Sequence, residues 1–141
     1  MTTKTILAAL IGAVVSFLLG WVVFGILMHD FYADNAVSYT GLMRGPDTRL
    51  WGIFLAQLAW SALLAYVFDR WANYRTFGSG FKGGFIIFFL AVAGFDIMSW
   101  SQMNIYPYHV ILVDILANAV FGGIVGGVVA MVLGTGRKAK P

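Results

Sequence analysis

The sequence predicts an all-α integral membrane protein, a four-helix transmembrane bundle with both termini in the cytoplasm. Three observations predict this fold class. Of the 141 residues, 60% are hydrophobic and only 11% are charged, whereas about 25% of the residues in a soluble domain carry a charge. Four long apolar runs are separated by polar connections. The basic residues collect in alternate connections, as the positive-inside rule requires.

Each apolar run is long enough to cross a membrane as a helix. The first run, 6–28, reaches about 35 Å at about 1.5 Å per residue, against a hydrocarbon core of about 30 Å. It is predicted to be a retained anchor, because it is longer than the apolar part of a signal peptide and no small-x-small cleavage site follows it. The other predicted spans are 50–68, 81–100 and 110–133, and all four belong to a single domain, 1–141.

The connections predict which spans are neighbours. The second and third connections, "DRWANYRTFGSG" and "SQMNIYPYH", are short, so the helices that they join should pack as antiparallel neighbours. The first connection is long enough for a small segment at the membrane interface. The third span is weakest at its start, where Lys82 lies, and the stretch "GSGFKGG" is interpreted as a flexible cytoplasmic turn that leads into it.

The basic side chains predict the orientation. If four helices alternate in direction, one side of the membrane holds Lys4, Arg70, Arg75, Lys82, Arg137, Lys138 and Lys140. The other side holds only Arg44 and Arg49. Basic residues are enriched on the cytoplasmic side of membrane proteins. We therefore expect a multi-pass protein of the bacterial inner (plasma) membrane with both termini cytoplasmic.

Small residues mark the helix faces that can approach one another closely. In a bilayer, helices associate through close packing of small residues and through interhelical hydrogen bonds. On the first and fourth spans these residues recur every four positions, which places them on one helix face. The predicted packing residues are Gly12, Ser16, Gly20, Gly122, Gly123, Gly126 and Gly127. The small-residue seams of the first and fourth spans are predicted to face each other.

Two aspartates interrupt the apolar runs of the third and fourth spans. Asp96 and Asp114 each lie about 6 Å from the outer end of their span, so they should share one depth in the outer half of the membrane. An ionised carboxylate that faces lipid costs about 2.5–3.5 kcal/mol. Two carboxylates in one low-dielectric site cannot both ionise cheaply, so at least one should hold a proton. The predicted intramembrane polar cluster is Asp96, Asp114, Asn118, Gln57, His29 and His109.

Three interpretations of this cluster stay open at this point. The aspartates can be structural, since a hydrogen bond between membrane helices contributes about 0.6–2 kcal/mol. They can bind protons or cations, with His29 and His109 at the mouth of the site. A metal or haem site on the two histidines is disfavoured, because no spaced ligand motif supports it and both histidines fall at predicted water interfaces. We therefore predict no metal and no cofactor.

Missing residues and motifs exclude several functions. The chain has no Cys, which excludes disulfides, thiolate metal sites and cysteine nucleophiles. It has no G-x-S-x-G elbow, no H-E-x-x-H pair and no phosphate-binding glycine loop, so we predict that it is not an enzyme. Its basic residues flank the apolar runs and form no stripe, which argues against nucleic acid as a partner.

Several stretches resemble a group of small, uncharacterised bacterial four-span membrane proteins. They are "TKTILAALIGAVVSFLLGWVVFGILMHDFY", "LLAYVFDRWANYRTFGSGFKGG" and "GFDIMSW" followed by "VDILANAVFGGIVGGVVAMVLGTGRK". The group is related to two domains of unknown function, numbered seventeen sixty-one and twenty-one seventy-seven. The resemblance implies that Asp30, Asp96 and Asp114 belong to the family pattern, whereas His29 and His109 have no match in it. It implies no activity.

The function predicted from these features is that of a non-catalytic membrane component. It would be an accessory or assembly subunit, or a homo-oligomer, that packs through its Gly/Ala seams. The predicted partners are the lipid bilayer and either other membrane protein subunits or further copies of the chain. Two alternatives stay open: a small proton- or cation-coupled carrier or channel that uses Asp96 and Asp114, and a binder of lipid or another hydrophobic ligand near Trp60 and Trp100.

Overall fold

The structure, a computed structural model, describes residues 2–135, and these residues are mostly helical. Its α-helices are α1 (Thr3–Val22), α2 (His29–Asn35), α3 (Leu50–Val67), α4 (Phe77–Gln102) and α5 (Tyr108–Gly134). The described part of the chain contains no β-strand, so the predicted all-α class is confirmed. The basic residues Arg137, Lys138 and Lys140, which contribute to the predicted orientation, lie outside the described residues.

Within residues 2–135, four helices are long and apolar enough to cross a membrane. Two of them continue into a π-helical turn, Val23–Leu27 after α1 and Phe68–Ala72 after α3. With these turns the candidate spans are Thr3–Leu27, Leu50–Ala72, Phe77–Gln102 and Tyr108–Gly134. The four apolar runs predicted from the sequence fall on these helices, as expected of a membrane-embedded protein.

Helix α4 begins at Phe77, four residues before the start predicted for the third span. Thr76 and Ser79 form a capping box, in which each side-chain oxygen accepts a hydrogen bond of 3.3 Å from the other residue's backbone N–H. This arrangement satisfies two amides that a helix start leaves free. The "GSGFKGG" stretch is therefore part of the helix, and the prediction of a flexible turn there is wrong.

The glycines at the start of α4 form its contact with α5. A Cβ on Gly80 would collide with the carbonyl oxygen of Gly126, and a Cβ on Gly84 would collide with that of Gly122. The two backbones therefore touch directly along this face. The phenyl rings of Phe77 and Phe81 cover two further glycines of α5, Gly127 and Gly123 respectively.

Helix α1 packs its small residues against both α3 and α5. A Cβ on Gly12 would lie 2.6 Å from Cγ2 of Val129 and 3.1 Å from Oγ of Ser61. Ser16 is buried, and its hydroxyl donates to the carbonyl oxygen of Ala13 in the same helix at 3.1 Å. The predicted pairing of the glycine seams of the first and fourth spans is therefore wrong. The glycines of α5 face glycines of α4 instead, and there the two backbones touch. The backbones of α1 and α5 stay further apart, because the side chain of Val129 lies between them.

Helix α5 lies at the centre of this packing. It contacts α1, α3 and α4, and 56% of its most apolar window is buried, against 17% for α3 and for α4. The outer faces of α3 and α4 remain apolar and uncovered. A helix that is hydrophobic all round belongs in a core or in lipid, so these faces fit a surface in contact with the bilayer.

Candidate functional site

The side chain of Asp114 on α5 is the centre of a polar cluster. The hydroxyl of Tyr32, on α2, donates a hydrogen bond of 2.5 Å to Oδ1 of Asp114. Asn118, one turn further along α5, donates from Nδ2 to Oδ2 of Asp114 at 2.9 Å. Each oxygen of the Asp114 carboxyl group therefore accepts one hydrogen bond.

Asp96, on α4, lies beside Asp114 in a different environment. Its Oδ2 atom is buried and makes no hydrogen bond with any residue that the structure describes. A buried polar atom without a partner costs about 1–3 kcal/mol, and more when it is charged. The cluster therefore holds one aspartate, Asp114, whose two oxygens each accept a hydrogen bond, and a second, Asp96, whose buried Oδ2 atom has no partner among the described residues.

The two aspartates lie between two clefts and line both of them. One cleft has a volume of about 260 Å³, and its other lining residues are Phe24, Tyr32, Tyr106, Val110 and Ile111. The second has a volume of about 420 Å³, and its other lining residues are Trp60, Ala91, Val92, Phe95 and Asn118. The first is bordered by α2 and the α4–α5 connection, and the second lies among α3, α4 and α5. The carboxyl groups can therefore be approached from two directions.

A bend after α1 brings Tyr32 to the aspartates. The π-helical turn Val23–Leu27 ends at Met28, whose backbone leaves the helical conformation (φ −106°, ψ 0°). Insertions of this type are frequent at functional sites. The bend sets α2 against the α4–α5 connection, where the ring of Tyr32 packs 6.0 Å from that of Tyr106 between ring centroids.

Further contacts fix α2 and the residues after it to the α4–α5 connection. The backbone N–H of Val37 donates to the carbonyl oxygen of Ile105 at 2.8 Å. Nε2 of His109 lies 3.1 Å from Oδ1 of Asn35. We call residues 29–39 together with residues 103–108 the cap. The cap covers the aspartates at the end of the molecule opposite the two ends of the described chain.

The structure brings together three of the six residues predicted for the cluster: Asp96, Asp114 and Asn118. Gln57 lies elsewhere, because α3 is rotated so that this side chain faces α1, with Nε2 3.8 Å from a Cβ built on Gly20. Among residues 2–135, no hydrogen bond joins Gln57 to either aspartate. The predicted cluster is thus smaller than expected on the α3 side.

The two histidines are exposed: His29 begins α2 in the cap, and His109 lies beside the cap at the start of α5. The side chain of His29 is 65% exposed and pairs with Asp30, from Nδ1 to Oδ1 at 3.1 Å. His109 is exposed as well and contacts Asn35, not the aspartates. Within the described residues, no group of three or more His, Cys, Asp or Glu side chains is placed to hold a metal ion. The histidines therefore neither belong to the cluster nor form a ligand set.

A second polar network, absent from the sequence predictions, lies at the opposite end of the molecule. Asp69 follows α3 and accepts two hydrogen bonds, 2.6 Å from Oγ1 of Thr5 and 2.8 Å from Nη2 of Arg75. Nζ of Lys4 donates to the carbonyl oxygen of Thr135 at 2.7 Å. These bonds join the start of α1, the α3–α4 connection and the end of α5. We call this end of the molecule the terminal end.

Comparisons of the chain with protein-family models, with curated proteins and with solved structures give no match. The resemblance to the two domains of unknown function therefore stays a prediction, and so does the absence of enzyme activity.

Replacing Tyr32 with phenylalanine tests whether Tyr32 holds the cap onto Asp114. Burial, together with the hydrogen bond to Asp114, raises the pKa of the Tyr32 hydroxyl. A raised pKa means that this stabilisation is complete below the ordinary tyrosine pKa of about 10 and is lost as the pH rises above it. We expect Tyr32→Phe to lower the free energy of unfolding by about 1.5 kcal/mol at neutral pH.

The measurement is unfolding in mild detergent between neutral pH and about pH 11, a range that includes the tyrosine pKa of about 10. The wild type should lose stability at the alkaline end more steeply than the Tyr32→Phe variant. Tyr39→Phe is the matched control, since Tyr39 is 52% exposed and its hydroxyl donates only a 3.3 Å bond within the cap. Identical alkaline profiles for the wild type and Tyr32→Phe would contradict this role.

Proposed function

We propose that the chain is a multi-pass membrane protein that binds and releases a proton, or a small cation in its place, at the Asp96–Asp114 pair. In this proposal it works as a small carrier. The observation that carries the proposal is the buried Oδ2 atom of Asp96, which has no partner among the described residues and lies beside a carboxylate whose own oxygens are both occupied.

The chemistry of the pair favours a single shared proton. Two neighbouring carboxylates in a low-dielectric site hold one proton more cheaply than two negative charges. Asp114 already receives hydrogen bonds from Tyr32 and Asn118, so the proton belongs on Asp96, where the free oxygen lies. When Asp96 releases it, an unpaired buried charge remains. A cation or water that enters through one of the two clefts would compensate that charge.

A carrier fits the surroundings of the pair better than an open channel. Phe121 lies about two turns beyond Asp114 on α5, and its ring packs 6.1 Å from that of Phe88 between centroids. Both rings are 4% exposed. Gly122 also lies directly against Phe88. Along α5 these buried rings lie between the aspartates and the terminal end, and in this proposal an ion crosses only when they move.

The orientation is part of the same proposal. We infer that the four spans form a bundle in the bacterial inner membrane with the terminal end in the cytoplasm. The support is the distribution of charge: Lys4, Arg75 and Lys82 lie at or near the terminal end, and Arg44 and Arg49 lie at the other end, beside the start of α3. Basic residues favour the cytoplasmic side. In this orientation the aspartates lie under the outer leaflet.

Proton flux into liposomes tests the proposal. Purified protein is reconstituted with a pH-sensitive dye inside the vesicles, and a potassium gradient with valinomycin supplies the driving force. We expect flux for the wild type, and a loss of about tenfold or more for Asp96→Asn and for Asp114→Asn, because an amide neither binds nor releases a proton near neutral pH.

Asp47→Asn is the matched control, since Asp47 is an exposed aspartate outside the candidate spans. It should keep the wild-type flux, and size-exclusion chromatography should show that all variants assemble alike. A wild type that is no faster than empty vesicles would contradict the proposal, and so would an Asp96→Asn variant that is as fast as Asp47→Asn.

The accessory-subunit and homo-oligomer functions stay predictions. Three of the small residues on which they depend, Gly12, Gly122 and Gly126, lie against helices of the same chain. They are therefore not free to receive a second protein. A mass measurement in mild detergent would show whether another surface of the chain binds a partner.

A further inference from the structure

A cavity at the terminal end holds more hydrogen-bond donors than acceptors. It has a volume of about 400 Å³ and is lined by Thr2, Thr3, Lys4, Asp69, Arg75 and Leu133. Asp69 accepts one N–H of Arg75, from Nη2, and its other oxygen is occupied by Thr5. Nη1 of Arg75 is buried and has no hydrogen-bond partner among the described residues.

Lys4 adds further donors and a second positive charge. Its ammonium group carries three N–H groups, and the bond to the carbonyl oxygen of Thr135 uses one of them. The cavity thus contains two cations and one carboxylate, a net charge of +1. Charge and donor count both favour an anion.

The cavity lies where the candidate spans end. Trp71, two residues after Asp69, is 74% exposed, and its ring makes an edge contact with Tyr66 at 5.6 Å between centroids. Exposed Trp and Tyr rings at the end of a membrane span lie at the level of the lipid headgroups. Leu133 gives the cavity an apolar wall. A ligand here would have its charged group at headgroup depth with an apolar surface beside it.

We propose that this cavity binds a phosphate group, and that its source is the headgroup of an anionic phospholipid. Arg75 suits this role, because the guanidinium forms paired hydrogen bonds with phosphate oxygens. Nη2 keeps its bond to Asp69, and a small rotation of the guanidinium gives Nη1 an acceptor. Lys4 contributes the second positive charge. The donors that are left without partners in the protein are then satisfied by the lipid.

The site is independent of the proton or cation site. Asp114 and Gly134 are 20 residues apart on α5, which corresponds to about 30 Å along the helix. An Asp96→Asn variant should therefore bind phospholipid as the wild type does. A loss of lipid binding and a loss of proton flux can thus be told apart in the same set of variants.

The test is native mass spectrometry of the full chain in mild detergent, titrated with phosphatidylglycerol and, separately, with phosphatidylcholine. We expect the wild type to prefer phosphatidylglycerol, and Arg75→Lys to weaken its binding by about tenfold, because lysine keeps the charge and loses the paired donors. Lys4→Gln, which leaves the Asp69–Arg75 pair intact, should weaken it as well. Arg70→Gln is the control, since Arg70 is exposed at the same end, and it should bind as the wild type does.

Three results would overturn the assignment. The first is an Arg75→Lys variant that is folded and binds phosphatidylglycerol like the wild type. The second is an Arg70→Gln variant that loses as much binding as Lys4→Gln, which would indicate a diffuse charge effect. The third is complete displacement of phosphatidylglycerol by inorganic phosphate at equal concentration, which would identify free phosphate as the ligand. A circular-dichroism melt of each variant checks folding, and Lys4→Gln keeps the test decisive if Arg75→Lys unfolds.

Discussion

Gly84→Ala is expected to destabilise the protein by about 1–3 kcal/mol, the usual cost of adding a methyl group to a packed contact. The new Cβ would collide with the carbonyl oxygen of Gly122 and would lie 3.1 Å from Cα of Gly126. Both are backbone atoms that cannot rotate away, so α4 and α5 would have to move apart. This contact joins the central helix to its closest neighbour, and the effect should be among the largest of any single methyl group in the chain.

The matched control is Gly94→Ala on the same helix. A Cβ on Gly94 meets no atom within 4 Å, and alanine is a better helix former than glycine by about 1 kcal/mol. The control should therefore be neutral or slightly stabilising. Unfolding of both variants in detergent by increasing fractions of sodium dodecyl sulfate measures the difference. If both variants are equally stable, the close α4–α5 contact does not exist in solution.

Asp69→Asn is expected to produce the second large loss, about 2 kcal/mol of unfolding free energy. Breaking a buried ion pair by removing one partner typically costs about 3–5 kcal/mol, because the other charge is left uncompensated. The side chains of Arg75 and Asp69 are 18% and 15% exposed, so water screens part of this cost. The substitution also weakens the bond from the buried hydroxyl of Thr5. It therefore loosens the contact among α1, α3 and the α3–α4 connection.

A double-mutant cycle separates the pair from the single side chains. Asp69→Asn, Arg75→Gln and the double variant are unfolded under the same detergent conditions. We expect the double variant to be more stable than the sum of the single losses predicts, by about 1 kcal/mol or more. Asp47→Asn, at an exposed site in the loop before α3, should have no measurable effect. Additive losses in the cycle would show that Asp69 and Arg75 do not stabilise each other.

The membrane helices could be predicted because their signals are local. A continuous apolar run of sufficient length fixes the existence of a span whatever its neighbours are, and all four runs are helical in the structure. The observed start of α4 differs from the predicted one, although its signal is also local. Thr76 followed by Ser79 is a capping pattern, and Gly80 and Gly84 have the same four-residue spacing that marks the seams of the other helices.

The candidate site was only partly predictable. The distances of Asp96 and Asp114 from their helix ends predict that the two lie together, and the position of Asn118 one turn beyond Asp114 predicts that it joins them. The sequence prediction places Gln57 in the cluster, whereas in the structure this side chain faces α1. Its direction depends on the rotation of α3 about its own axis, which packing against α1 determines. Tyr32 is absent from the predicted cluster. Its approach to Asp114 requires the π-helical turn and the bend at Met28, for which the sequence has no clear signal.

The sequence by itself determined three properties of this chain: it is helical, four of its helices are apolar enough for a membrane, and two aspartates interrupt the apolar runs. These properties could be predicted because they depend only on residue order and helix geometry. The tertiary structure decided which helices meet. Three helices carry small residues at the same spacing, and that spacing does not distinguish one partner from another. Among the helices that the structure describes, only α4 and α5 place glycine opposite glycine, so their backbones can touch.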